Sequence, residues 1–397
     1  MKKINVCFFL ISGGWGGAEN VVFYLAKIME QQGHKVNIIL NEEPYPYFKQ
    51  LPNVTLYNVG PIFSIRKSLQ KNFKITVPTI LLKNKKLSQS IKIILNPYIT
   101  KLNYIKIKKK VLKTIDEIHP DIIHFHNPVV LDFCTYLLPH IPYPTIYTSH
   151  GIDFERNHNP MSKLTHRKKR NTLKRFSKIT AVSTFIKQYL ISNGITGHID
   201  VIYNGVDKEL IHHILRDNPE MKYDKEFILI FPGGQKKQKG GEILLQSLKI
   251  VKNQNNHIKL YYCGFVTADF INKHQDEGMI FTGLLKHNEY LKLLSSCDCL
   301  TLLSETEGFS IAILEAMSLG KTILTTPVGG NPELVIDGVN GFLVERDPLK
   351  IAEKIIFLME NPDIRKQISK NNIQSIKKFQ WNTITDKYIQ LYKSINP

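Results

Sequence analysis

The chain has no Cys-x-x-Cys pair, no Asp-x-Asp triplet and no long apolar run. Each absence excludes something. The five cysteines are Cys7, Cys134, Cys263, Cys297 and Cys299, and only Asp298 separates the last two. That is poor spacing for metal ligands, so the thiols are expected to be reduced and mostly buried, as in a cytoplasmic protein. A membrane-spanning helix needs about 18 or more consecutive apolar residues, and none is present. The stretch nearest to an Asp-x-Asp triplet is Asp153-Phe154-Glu155, which reads as an ordinary loop. The carboxylate pair that would bridge a metal to a diphosphate is therefore missing, and no metal-ligand cluster is expected. No internal repeat and no low-complexity tail interrupt the chain.

Acidic residues are the most unevenly missing class. None occurs from Pro44 to Ile115, where there are 15 Lys+Arg, and none from Lys163 to Lys178, where there are eight. Residues 1–205 carry 29 Lys+Arg against 11 Asp+Glu, a balance of +18, whereas residues 206–397 carry 24 against 23, or +1. A basic half of this kind implies a polyanionic partner: an anionic lipid surface, a lipid pyrophosphate or nucleic acid. Against nucleic acid, the chain shows no aromatic-basic strand motif, zinc module or helix-turn-helix signal. Within residues 64–113, Leu87, Ile91, Ile94 and Leu95 fall at helical spacing among Lys83, Lys85, Lys86 and Lys92. Such a helix is read as lying in a membrane interface; the alternative is a solvated lysine face on a core helix.

What is present is a repeated strand–glycine–helix pattern. Met1-Lys2-Lys3 and the short run Val6–Ile11 could pass for a signal peptide, but Gly13 to Gly17 follow at once. A buried strand entering a glycine turn is the better reading. Ala18–Gln31 then reads as a helix, with strands expected at Val36–Leu40, Ile122–Phe125, Thr145–Thr148, Ile179–Val182 and Val201–Tyr203. The pattern restarts with a strand at Phe227–Phe231, a turn at Gly233-Gly234 and a helix at Gly240–Lys252. Further strands are expected at Leu260–Cys263, Ile280–Thr282, Cys299–Leu303 and Thr322–Thr325. At 397 residues two domains are expected. Alternating strands and helices argue for parallel sheets, hence an α/β chain of two Rossmann-like domains facing across a cleft, with ligands at the strand ends.

The chemistry concentrates in Glu305-Thr306-Glu307-Gly308-Phe309-Ser310-Ile311-Ala312-Ile313-Leu314-Glu315. The spacing places Glu307 at a strand-to-helix turn and Glu315 about two turns into the helix, roughly 12 Å away. Ionised carboxylates only accept hydrogen bonds, which suits sugar hydroxyls. The free N–H groups at the helix start, from Gly308, Phe309, Ser310 and Ile311, suit a phosphate. In Gly233-Gly234-Gln235-Lys236-Lys237-Gln238-Lys239-Gly240-Gly241, Lys239 lies at a helix N-terminus, where a lone cation opposes the macrodipole. A phosphate would resolve that conflict. Gly13 to Gly17 match neither the dinucleotide fingerprint nor a P-loop; they form either a ligand-approach loop or a tight turn. His150 follows a strand and precedes Gly151, placing it near strand ends. His124 and His126 alternate across a strand, with a cleft role and a core role equally open.

The run E-G-F-S-I-A-I-L-E-A-M-S-L-G-K-T-I-L-T-T-P-V-G-G-N-P-E-L-V, residues 307–335, resembles the donor-site signature of retaining glycosyltransferases of family 4. That resemblance implies the GT-B fold. It implies domains at 1–205 (acceptor), 206–375 (nucleotide sugar) and 376–397, the last a helix from Trp381 to Lys393 that returns to the first domain. It implies that Glu307 contacts sugar hydroxyls and Glu315 the ribose, and that Gly16 and Gly17 approach donor phosphates and acceptor. His150 matches the family histidine near the transferred sugar, and Lys239-Gly240 the diphosphate-binding Lys-Gly. The family arginine position is occupied by Gly234, a departure, with Lys236 or Lys237 as its replacement. The expected reaction moves a sugar with retention, by front-face attack, from a UDP-linked donor to a lipid-linked glycan or envelope glycolipid. It is expected to need no metal and to occur at the inner face of the cell membrane. A soluble transferase acting on a small metabolite is the alternative.

Overall fold

The computed structural model describes residues 3–11, 16–41, 47–60, 105–126, 130–154, 160–217 and 226–395. Of the basic segment 64–113, Lys83 to Lys92 and the apolar positions Leu87, Ile91, Ile94 and Leu95 lie outside those residues. The chain divides into two units. The first comprises Met1–Thr180, Leu190–Asp200 and Ile389–Pro397; the second comprises Ala181–Tyr189 and Val201–Tyr388.

Apart from Ala181 and Val201 at strand ends, the strands of the first unit are β1 (Asn5–Leu10), β2 (Lys35–Leu40), β3 (Val54–Asn58), β4 (Ile122–His126), β5 (Thr145–Ser149), β6 (Lys178–Ala181) and β7 (Ile199–Val201). Of the helices used below, α1 (Gly17–Gln31) lies in this unit, whereas α2 (Thr184–Ser192) begins in the second unit and ends in the first. The sheet runs β3-β2-β1-β4-β5-β6-β7. β1 pairs in parallel with β2 on one side and with β4 on the other. Val6, Cys7, Phe8, Phe9 and Leu10 are all fully buried. A strand covered on both faces reads as a continuous apolar run, which is why β1 was legible in the sequence. β3 was not: its sequence Val-Thr-Leu-Tyr-Asn is only partly buried, as suits an edge strand. β7 ends at Val201, two residues before the expected Tyr203. Its Asp200 carboxylate is held instead by Lys178 and His198 at the sheet edge.

The second unit carries β8 (Phe227–Phe231), α3 (Gly241–Lys252), β9 (Ile258–Cys263), β10 (Met279–Gly283), α4 (His287–Ser296), β11 (Cys299–Leu302), α5 (Ile311–Ser318), β12 (Thr322–Thr325), β13 (Phe342–Leu343) and α6 (Pro348–Glu360). All pairs of its sheet, ordered β10-β9-β8-β11-β12-β13, are parallel. Leu229 and Phe231 of β8, Leu244 and Leu248 of α3, and Ile351 and Ile355 of α6 meet in one apolar core. The last helix, α7 (Trp381–Ile395), begins in the second unit and ends in the first. Both sheets reverse their strand order beside the first strand of the unit, between β1 and β4 and between β8 and β11. In open parallel sheets ligands bind beyond the strand ends at that reversal. The chain therefore leaves β1 and β8 where the topology calls for a site.

Candidate active site

In the second unit the loop leaving β8 meets the loop leaving β11. Gly240 has φ +82, and a Cβ there would lie 2.2 Å from the Leu303 carbonyl oxygen. Gly241 opens α3, and a Cβ on it would lie 1.9 Å from the Tyr262 hydroxyl. Only a glycine at 240 lets the two loops approach so closely, and only a glycine at 241 lets α3 start against Tyr262 of β9. The backbone N–H of Glu305 donates to the Gln238 carbonyl at 2.8 Å. Two side-chain donors then converge on one oxygen: Lys239 Nζ reaches Glu307 Oε1 at 2.5 Å and Ser304 Oγ donates to it at 2.7 Å. Glu307 thus balances the cation that sequence reasoning assigned to a phosphate. Lys236 and Lys237 are exposed. Among the described residues neither forms a salt bridge. Gly234, at the family arginine position, has φ +54, and its Cβ would sit 2.9 Å from the Phe265 carbonyl oxygen. An arginine does not fit this conformation.

The position of Glu307 is set by a second glycine pair. Gly329 has φ +59 and stands so close to Glu307 that a Cβ would come within 1.7 Å of the Glu307 carbonyl oxygen. The N–H of Gly330 donates to that same oxygen at 3.2 Å. A Cβ on Gly330 would lie 2.3 Å from the Gly308 carbonyl oxygen. Phe309 is buried, its ring stacked 4.8 Å from Tyr203, and its carbonyl accepts from Asn204 Nδ2 at 2.9 Å. Ser310 is extended and its Oγ accepts from the Ile313 N–H, so it caps α5. The helix consequently starts at Ile311. Glu315 lies little more than one turn into it, not two, because Glu307 to Ser310 are loop; the helical rise does not apply to the whole interval. Glu333, part of the same sequence run, accepts from the N–H groups of Thr184 and Phe185 at 2.9 Å each, and so caps α2.

Glu315 is 6% exposed. Its Oε1 lies 2.6 Å from Nε2 of His287, the first residue of α4. Burial would push His287 down, but the adjacent Glu315 carboxylate, with Asp207 adding, more than offsets it and holds the imidazole above its ordinary range. One turn along α4 the Tyr290 hydroxyl is buried and has no hydrogen-bond partner among the described residues. Burial, with Glu315 adding, pushes that phenol well up. A folded value raised above 6.5 means the pair stabilises fully below that pH and is lost as pH rises through the raised value. His287→Ala should therefore lose about 1.5–3 kcal/mol at pH 5.5–6, the range for a charged hydrogen bond. The gap from wild type should narrow in alkaline buffer. Thermal unfolding across that range checks this; a gap independent of pH would mean the contact is not an ion pair.

In the first unit Gly16 is the extended N-cap of α1 and Gly17 its first residue. The remainder of that loop, residues 12–15, lies outside the described residues. Glu19, 3% exposed, sits in the first turn of α1, where the helix dipole favours an anion. His150 follows β5, and its Nε2 lies 2.9 Å from Nδ1 of His126. His124 and His126 do not alternate across β4. Positions two apart share a face, and their rings lie 4.0 Å centroid to centroid. His124 reaches Tyr392 Oη of α7 through Nδ1 and Thr148 Oγ1 through Nε2, both at 2.6 Å, and Thr148 in turn meets Thr180 at 2.6 Å. Burial lowers His150 to about 4 and holds His124 and His126 well below the ordinary range. Asp153 and Phe154 are 2% exposed, so the first two residues of that supposed ordinary loop are buried. Burial raises the Asp153 carboxyl to about 6, against a hydrogen bond donated by Ser149 Oγ at 2.7 Å. Among the described residues no group of three or more His, Cys, Asp or Glu could hold a metal ion. None of the described helices is long and apolar enough to cross a membrane.

Sequence reasoning missed His287, His126 as the partner of His150, and Ser304. The first two pairs lie 28 and 24 residues apart, with no linear motif joining them.

Comparison with known proteins places these elements in context. The sequence pattern of glycosyl transferases group 1 matches residues 216–375, and that of glycosyltransferase family 4 matches residues 15–210. An uncharacterized glycosyltransferase of Methanocaldococcus jannaschii is 31% identical over 281 residues, 70% of this chain and 76% of that protein. The N-acetyl-alpha-D-glucosaminyl L-malate synthase of Bacillus anthracis is 24% identical over 401 residues, 96% of this chain and 94% of that protein. Anabaena HepE, solved in complex with UDP and glucose, superposes with a TM-score of 0.73 at 21% identity, covering 98% of this chain and all of that one. That last likeness is one of fold, GT-B.

Proposed function

The chain belongs to glycosyltransferase family 4, and from that premise we propose that it moves a sugar from a UDP-linked donor to a lipid-linked glycan or cell-envelope glycolipid, with retention of configuration. The observation that carries the donor half of this reading is the convergence of Lys239, Ser304 and Glu307 at the strand-order reversal of the second unit. Glu307 and Glu315 take the roles their resemblance gives them, toward sugar and ribose hydroxyls. Lys239, with Lys236 or Lys237, and the N–H groups of Gly308 to Ile311 face the diphosphate. The roles given to His150, Gly16 and Gly17 are part of the same proposal. So is the division into an acceptor domain at 1–205, a nucleotide-sugar domain at 206–375 and a C-terminal helix at 376–397. The leaving diphosphate is stabilised by fixed cations and helix N–H groups. No metal is needed, since the sequence offers no Asp-x-Asp triplet.

A screen of nucleotide sugars by thermal shift tests this. A donor at 100 times its dissociation constant should stabilise the protein by about 2.7 kcal/mol, and Lys239→Ala should reduce that shift. Transfer should persist in EDTA. Lack of any shift with nucleotide sugars, or loss of transfer on chelation with recovery on adding manganese, would overturn the respective parts.

The acceptor half rests on the charge balance of +18 in residues 1–205 against +1 in 206–397. Each Lys or Arg near an anionic surface adds about 1 kcal/mol of attraction. Peripheral binding at the inner face of the cell membrane is part of the proposal. The second reading, a small soluble acceptor, is favoured by the relative named as an L-malate synthase, which matches 96% of this chain. Flotation with phosphatidylglycerol vesicles at low salt separates the two. The protein should float and be released as salt shortens the Debye length to about 3 Å at 1 M. A chain that stays in solution favours the small acceptor.

A further inference from the structure

His126 is wholly buried, and its two ring nitrogens are in unlike situations. Nδ1 lies 2.9 Å from His150 Nε2, whereas Nε2 is buried and has no hydrogen-bond partner among the described residues. A neutral imidazole carries one N–H and one lone pair. In a hydrogen bond between two imidazoles, one of the facing nitrogens carries the hydrogen. If His150 Nε2–H were the donor, the proton of His126 would sit on its own Nε2, as a buried N–H with nothing to receive it. Orphaned buried N–H groups are rare, rarer than acceptors left short of a partner. If instead His126 Nδ1–H donates, only a lone pair is left unmet, and the proton of His150 must sit on Nδ1.

We propose that His126 is a positioning residue that holds His150 neutral, with Nε2 as acceptor and Nδ1–H as the hydrogen-bond donor offered to an oxygen of the transferred sugar. This rests on the reading of His150 as the histidine at that sugar. The fold supplies what the device needs. β4 and β5 are parallel, with His126 in register with Thr148, so His150, two residues on, belongs to the same face. Phe8 lies 5.8 Å from the rings of both His124 and His126, and the His124 ring, 4.0 Å from that of His126, restricts how that side chain can turn. His124 differs from its neighbour. Both its nitrogens meet hydroxyls, which can donate or accept, so its tautomer is not dictated in the same way. A ring's tautomer follows from the hydrogen bond its other nitrogen makes, and a histidine held in the wrong tautomer loses most of its catalytic value.

Two-bond 1H–15N correlation spectra of the full chain with 15N-labelled histidine read the tautomer directly, with His150 identified by its loss in His150→Ala. In wild type, His150 should show a protonated Nδ1 and an unprotonated Nε2. In His126→Leu it should revert toward the Nε2–H form that neutral histidine prefers in water. Turnover of His126→Leu should fall at least tenfold, with KM for the donor within about threefold of wild type, as expected when an outer partner is removed. His126→Asn, whose Nδ2–H can take the place of Nδ1–H, should recover most of the turnover and keep His150 in the Nδ1–H form. A wild-type spectrum with His150 protonated on Nε2 overturns the proposal, as do Leu and Asn variants with equal turnover. Should His126→Leu not fold, the wild-type and Asn spectra still decide. An Nδ1–H spectrum together with full activity in His150→Ala would leave the array standing but sink the role of His150 in transfer.

Discussion

Glu307→Ala is expected to lower turnover by about 10- to 100-fold, the equivalent of one charged hydrogen bond of roughly 1.5–3 kcal/mol. The side chain gathers Lys239 Nζ and Ser304 Oγ on a single oxygen, Oε1. The proposal reserves this carboxylate for sugar hydroxyls. The same geometry says what should not fall. Under that proposal Glu307 competes with a diphosphate for Lys239, so removing it frees the cation, and UDP without its sugar should bind the variant at least as tightly as wild type. Glu307→Gln keeps an oxygen for Ser304 but loses the charge, and should lie between the two in turnover. Initial rates with the donor found by thermal shift, and calorimetric titration with UDP, give the two readings. Wild-type turnover in Glu307→Ala would remove it from the donor site. A parallel loss of UDP affinity would mean that it holds the loop rather than the sugar.

The largest stability effect is expected from Gly329→Ala. Its φ of +59 is a region that side chains rarely adopt, and the added Cβ would meet the Glu307 carbonyl oxygen at 1.7 Å. Left-handed backbone at a non-glycine residue costs on the order of 1–3 kcal/mol, and overpacking about as much again. A loss on the order of 3 kcal/mol or more should appear as an unfolding midpoint lower by roughly 6–12 °C, at about 2–4 °C per kcal/mol for a unit of this size. Gly338→Ala is the control. Gly338 has φ +72, but a Cβ there would have nothing within 4 Å, so only the backbone part of the penalty applies. Equal effects in the two variants would show that the contact with Glu307 is not tight. Because Gly329 abuts Glu307, residual folded Gly329→Ala should also turn over more slowly than Gly338→Ala.

The alternation of buried strands and helices was legible in the sequence for a physical reason. Strands covered on both faces, such as Val6–Leu10 and Phe227–Phe231, must be apolar throughout, and each glycine loop stands where a strand must turn into a helix. The edge strand Val54–Asn58 escaped notice because an edge needs no such run. Glu307, Glu315 and Lys239 were visible through chain spacing and family resemblance. The start of α5 was misjudged because it depends on Ser310 as cap and on Asn204, 105 residues before Phe309, which are not neighbours along the chain.

By itself the sequence determined the parallel-sheet class, the family and the charge split between the halves, since each is a property of runs or totals that survives without knowing which residues touch. Only the tertiary structure decided which groups share a hydrogen bond. It set Lys239 on Glu307, His287 on Glu315 and His126 on His150 because parallel strands bring distant loops to the same end of a sheet. Which ring nitrogen bears a proton, or which cation a carboxylate holds, follows from burial and separations below 3 Å, and no spacing along the chain encodes those distances.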